Sequence, residues 1–211
     1  NMPKRYKLIP SKTYRTLEIR QRGYLPHWQL DDSIYSITYR LADSLPQHIY
    51  QQLLEERKAI QRLIAGNDEP SAVQRNEINR IFAVRLDIRL DEGWGSCHLR
   101  NPEVVRVVVE NLHHHDGGRY RLEAYALMPN HVHVVMHLFR GSDLPRVLHS
   151  WKSYTGKCAL AIVGEAPPFW QEEYFDRIVR DEEDYANTLR YVLDNPLKAG
   201  LKNWPWVWRR A

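Results

Sequence analysis

His131 and His133 stand one residue apart in the run MPNHVHVVMHL. Side chains alternate along a strand, so both imidazoles fall on one side, with Val135 and His137. Neutral imidazole is a ready metal ligand, and two on one face offer a pair of donors to a cation. A half-buried strand with polar residues facing solvent has the same pattern, and the pair alone does not separate the readings. Farther on, Tyr154 and Cys158 lie one helical turn apart on a common face. His113, His114 and His115 are consecutive on a helix, so they point in different directions and read as a solvated helix end.

The histidine pair needs a strand and a neighbour. Tyr120 to Leu138 reads as two strands joined by a tight turn at Met128-Pro129-Asn130. Val132, Val134, Met136 and Leu138 form the face opposite the histidines, wholly apolar and suited to a core. Ser33 to Leu41 is a further strand, with Tyr35, Ile37 and Tyr39 on one side and Ile34, Ser36, Thr38 and Arg40 on the other. Helices are expected from Gln47 to Ala65, with Asp43 or Ser44 as cap, and from about Ala72 to Leu90. Asn101-Pro102-Glu103 starts another, to about His115, and Asp143 caps one from Leu144 to about Val163. A strand around Tyr174 to Val179 precedes a helix from Asp181 to Leu193 that Asn195-Pro196 should stop.

Without the helices near 46–90, taken as an inserted hairpin, the order is strand, helix, strand, strand, helix, strand, helix. That order implies an α+β fold, the ferredoxin-like split βαββαβ(α) arrangement, with helices on one face of a central antiparallel sheet. The other face, carrying His131 and His133, would then be open. The chain divides into a basic arm (1–29), a core domain (30–200) and a Trp/Arg-rich tail (201–211).

The arm holds Lys4, Arg5, Lys7, Lys12, Arg15, Arg20 and Arg22 against Glu18, with Tyr6, Tyr14, Tyr24 and Trp28 interleaved. The tail holds Trp204, Trp206 and Trp208, then Arg209 and Arg210. Cations neutralise phosphates and aromatic rings stack on unpaired bases, so both ends are candidate DNA contacts. A disordered leader and a tail packed on its own domain explain the same residues. With 211 residues, a net charge of +4 and a pI near 9.0, the chain can bury a full core and tolerates a nucleic-acid partner. Two cysteines, Cys97 and Cys158, form no disulfide framework, which suits a cytoplasmic setting. No apolar run approaches membrane-spanning length.

MPNHVHVVM, WKSYTGK and FWQEEYFDRIVRDEEDYANTLRYVLDNPLKAGL, in that order, resemble the HUH single-tyrosine transposases. HWQLDDSIYSITYRLADSLP and GWGSCHLRNPEV resemble a branch of these, the REP-associated tyrosine transposases; the likeness covers roughly residues 27–202. The resemblance implies that His131 and His133 hold Mg2+ or Mn2+ and that Tyr154 attacks a phosphate of single-stranded DNA bearing a palindromic-repeat hairpin. The product would be a 5′-phosphotyrosine link and a free 3′-hydroxyl, made by a monomer or a homodimer. Cys158 falls where the family places a polar third ligand, and a soft thiolate suits Zn2+ better than Mg2+. A DNA-hairpin-binding protein that has lost catalysis would keep most of these features. A histidine-triad nucleotide hydrolase would need a histidine at Val135.

Overall fold

The computed structural model of the protein describes residues 18–22, 25–29 and 32–211. The central sheet is antiparallel and five-stranded, in the order β6-β3-β5-β4-β7. Its strands are β3 (Ser33–Arg40), β4 (Tyr120–Leu127), β5 (His131–Leu138), β6 (Phe175–Ile178) and β7 (Val207–Arg209). The first four, joined through α3 (Pro102–His114) and α4 (Leu144–Val163), form the expected split arrangement. Two further strands, β1 (Glu18–Arg22) and β2 (Leu25–Gln29), pair as an antiparallel hairpin in what reads from sequence as an arm. Lys4, Arg5, Lys7, Lys12 and Arg15 lie outside the described residues; Arg20 and Arg22 fall in β1.

One face of the sheet follows directly from strand alternation. Tyr35, Ile37 and Tyr39 of β3 and Val132, Val134, Met136 and Leu138 of β5 pack against Val104, Val108 and Leu112 of α3 and Leu148 and Trp151 of α4. Asn101 and Asp143 cap these helices as their side chains predict, accepting from the Glu103 and Arg146 amides. Each fully buried Val or Leu here stabilises the fold by about 2 kcal/mol.

The other face is not open. α5 (Glu182–Lys198) lies on it, with Leu189 and Val192 packed on Ile34, Ala124, Ala126 and Val135. The helix passes through Pro196 rather than stopping before it, because the proline sits in the last turn, where the Ala199 amide still reaches the Asn195 carbonyl. α1 (Gln47–Ala65) and α2 (Ala72–Asp91) complete the cover: Phe82, Leu86 and Leu90 of α2 pack with Leu45, Leu53 and Phe175. These residues form a second apolar cluster, separate from the one under α3 and α4. Neither Asp43 nor Ser44 caps α1; Ser44 bonds the Leu41 carbonyl and Arg40, while Asp43 accepts the Ser96 amide.

The tail is also structured. β7 pairs with β4, Trp208 stacks on Tyr125 at 5.5 Å between centroids, and His113 meets Trp208 edge-on at 4.9 Å. Trp204 donates to the Leu127 carbonyl, Trp206 packs on the core, and Arg210 pairs with Asp116. Arg209 alone of the five tail candidates is exposed. No helix of the described residues is long and apolar enough to cross a membrane.

Candidate metal centre

Cross-strand register fixes the histidines. In the β3–β5 pair Thr38 faces His133 and Arg40 faces His131. The Thr38 hydroxyl lies 2.9 Å from His133 Nδ1, and the Asn130 amide oxygen 2.8 Å from His131 Nδ1. Asn130 is locked in turn, because its Nδ2 donates to the Leu90 and Trp94 carbonyls, both at 3.1 Å. Its oxygen can therefore only accept, so His131 carries its proton on Nδ1 and presents a lone pair on Nε2. That atom lies 3.0 Å from His133 Nε2, with the two rings perpendicular.

Asp87, one turn before Leu90 on α2, completes the group. Among the described residues, Asp87, His131 and His133 are the one set of three potential ligands, their donor atoms all within 4.8 Å of one another. All three are buried, and Asp87 Oδ1 has no hydrogen-bond partner. Burial holds the imidazoles neutral, driving His133 down to about 3 and His131 well below its ordinary value, and it pushes the Asp87 carboxyl up to about 7. Two imidazole nitrogens facing each other beside an unpartnered carboxylate oxygen fit a divalent cation.

Tyr191 of α5 sits over this group. Its ring edges His133 at 6.1 Å, and its hydroxyl donates to Asp87 Oδ2 at 2.5 Å. Burial, and then the Asp87 charge, raise its pKa; a hydrogen bond from Asn195 opposes them. Lys198 lies 5.0 Å above the ring. Tyr191 is half-buried, so one edge reaches the surface.

Tyr154 is elsewhere. It projects from α4, which packs on the opposite face of the sheet, and is 58% exposed. It lines a groove of about 390 Å³ with Glu110, Asn111, His114, His115 and Ser150. Cys158, one turn on along the same helix, stands outside the Asp/His group. His137 pairs with Asp32 at 2.9 Å, away from the pair, as a peripheral position.

Both missed residues left traces in the sequence. Tyr191 stands four residues before Asn195, one helical turn ahead of the NPLKAG ending. Asp87 is an acid next to Leu86, on a helix whose Phe82, Leu86 and Leu90 form the buried stripe. Neither trace reveals that α2 and α5 meet across the histidines.

The chain is 26% identical over 92 residues to a REP-associated tyrosine transposase of Escherichia coli (strain K12), a match covering 41% of this chain and 52% of the relative. It is 25% identical over 103 residues to a Haemophilus influenzae protein of the same family name, covering 39% and 55%. The chain thus spans about half the length of the curated relatives it matches. A solved structure of a REP-associated tyrosine transposase bound to a REP hairpin shares 14% identity and a TM-score of 0.48, over 89% of this chain and 81% of that one. No family model matches the chain.

Proposed function

We propose that this chain, a member of the REP-associated tyrosine transposase family, cuts and rejoins single-stranded DNA at the Asp87/His131/His133 group with Tyr191 as nucleophile. The observation that carries this reading is the 2.5 Å hydrogen bond from Tyr191 to the Asp87 carboxylate beside the two imidazoles. It replaces Tyr154, which the resemblance suggested, and it replaces Cys158 with Asp87 as third ligand. Two nitrogens and a carboxylate oxygen suit Mn2+ or Mg2+. When bound, the ion supplies Lewis-acid polarisation of a phosphate and orients it.

The remaining chemistry belongs to the side chains. Tyr191 gives its proton to Asp87 Oδ2 as its oxygen attacks phosphorus. The P–O3′ bond breaks, and the departing 3′-oxygen takes that proton from Asp87 to leave a free 3′-hydroxyl. The downstream strand stays attached to Tyr191 through its 5′-phosphate, so a second 3′-hydroxyl can reverse the step and join a new strand. A phenol with an ordinary pKa of about 10 is a weak nucleophile at neutral pH. Asn195, donating to the phenol oxygen, and the Lys198 ammonium over the ring both favour the developing phenolate. The ligands are sealed beneath α2 and α5, so a phosphate reaches them only when one of those helices shifts.

Hairpin-forming DNA of palindromic repeats is the substrate class the family implies. The test is a 3′-labelled oligonucleotide carrying such a hairpin, incubated with the protein and Mn2+ and run on a denaturing gel. A labelled covalent adduct that EDTA abolishes is expected; absence of any adduct with Mg2+ or Mn2+ contradicts the reading.

A further inference from the structure

Arg40 is a buried guanidinium, 7% exposed, at the end of β3 directly across from the metal-centre histidine His131. Its Nη1 donates to Ser44 Oγ at 3.0 Å, and it bonds the Tyr50 hydroxyl and lies 5.0 Å over that ring. Among the described residues no carboxylate forms an ion pair with it. Glu173 acts on it through space and through Tyr50, whose hydroxyl donates to the carboxylate at 2.5 Å. Buried charges are ordinarily paired, since an unpaired one is costly. Arg57 also lies in the field of Glu173, and Lys152 lies in the field of Glu172 first and Glu173 second, so three cations face two carboxylates. A pocket lined by Thr38, Arg40, Tyr50, Phe82, Glu173 and Tyr174 encloses about 20 Å³ beside the guanidinium, and Thr38 is also the partner of His133.

From this arrangement we infer that the Arg40 pocket is a phosphate subsite, taking a backbone phosphodiester of the strand that enters the metal centre. The inference rests on the DNA-processing reading above. A guanidinium fork matches phosphate oxygens two at a time, and Arg40 sits one cross-strand position from the ligands. Glu173 and Tyr50 both line the pocket and are both partly exposed. A phosphodiester displaces the Tyr50–Glu173 arm and takes over the neutralisation of Arg40. With metal absent, the subsite contributes to strand binding but not to cleavage.

The measurement is fluorescence anisotropy of a labelled single-stranded oligonucleotide with the full chain, in EDTA, across a series of KCl concentrations. One lost phosphate contact lowers the log–log salt slope by about 0.7 for single strands. Arg40→Gln is expected to show that loss with roughly tenfold weaker binding at low salt, while Arg40→Lys retains most of the slope. Glu173→Gln removes the competing carboxylate and is expected to bind several-fold tighter, a gain that misfolding cannot mimic. If Arg40→Gln folds and keeps the slope, or if Glu173→Gln binds no tighter, the subsite is refuted. Because these readouts use no metal, they stand or fall separately from adduct formation. An active nuclease with an unchanged slope overturns the subsite alone; a changed slope without any adduct overturns the nuclease reading alone.

Discussion

Asn130→Ala should weaken metal binding from a position that touches no metal. The Asn130 side chain joins three groups: His131 Nδ1, the Leu90 carbonyl at the end of α2, and the Trp94 carbonyl in the following loop. Removing it strands the His131 N–H in a buried site, while the Leu90 carbonyl keeps the Gly93 amide at 3.0 Å and Trp94 is exposed enough to find water. A stranded buried group costs about 1–3 kcal/mol, so about 2 kcal/mol of stability is expected to be lost, short of the total for a domain of this size. The effect on the ion is separate. Freed from Asn130, His131 can rotate or move its proton to Nε2, and Asp87 loses the clasp that holds its helix end against β5. Partners of this kind tune affinity by about 10- to 100-fold. The assay is Mn2+ titration by calorimetry, with thermal unfolding of the metal-free protein alongside. Asn130→Asp separates the two roles: it still accepts from His131 but cannot donate to Leu90 or Trp94, and it should recover most of the metal affinity while remaining less stable. If Asn130→Ala binds Mn2+ as tightly as the unsubstituted protein, the account of how His131 is oriented is wrong.

Asp87→Asn should weaken Mn2+ binding by at least tenfold while Cys158→Ser leaves it unchanged; calorimetry showing the reverse would restore the cysteine as third ligand. Trp208→Ala removes a ring held between Tyr125 and His113, and should cost about 2 kcal/mol in denaturant unfolding with little change in oligonucleotide affinity. Weaker DNA binding at unaltered stability would make the tail a nucleic-acid contact instead. Lys152 is pushed down to about 8 by burial, so between about pH 8 and its ordinary 10.5 the unfolded chain binds the extra proton. Stability relative to Lys152→Met should therefore rise with pH through that window, and a flat difference would show the ammonium to be fully solvated.

The core was legible because its signals are local. Alternation at Val132, Val134, Met136 and Leu138 fixes one face of β5, and Asn101 and Asp143 mark two helix starts by side-chain chemistry that acts within one turn. The histidine pair was legible for the same reason. What completes the site is not local: Asp87 and Tyr191 are 104 positions apart and meet through the packing of α2 and α5 on the sheet. A face expected to be open is covered because Leu189 and Val192 of α5 pack on it, and the run of that helix past Asn195 places Tyr191, Asn195 and Lys198 on one side. Tyr154 was the natural tyrosine to choose from sequence, being on the helix after the HxH strand, but α4 packs on the far side of the sheet. The tail's tryptophans had two readings that composition could not separate, and β7 gives Trp208 a partner in Tyr125.

Tyr191, over the Asp87/His131/His133 group, is the proposed nucleophile. The direct measurement is covalent-adduct formation by Tyr191→Phe and Tyr154→Phe, side by side, on a 3′-labelled hairpin oligonucleotide with Mn2+. Tyr191→Phe should bind the oligonucleotide and form no adduct, while Tyr154→Phe forms it at the unsubstituted level. Adduct formation that survives Tyr191→Phe and is lost in Tyr154→Phe would contradict the account.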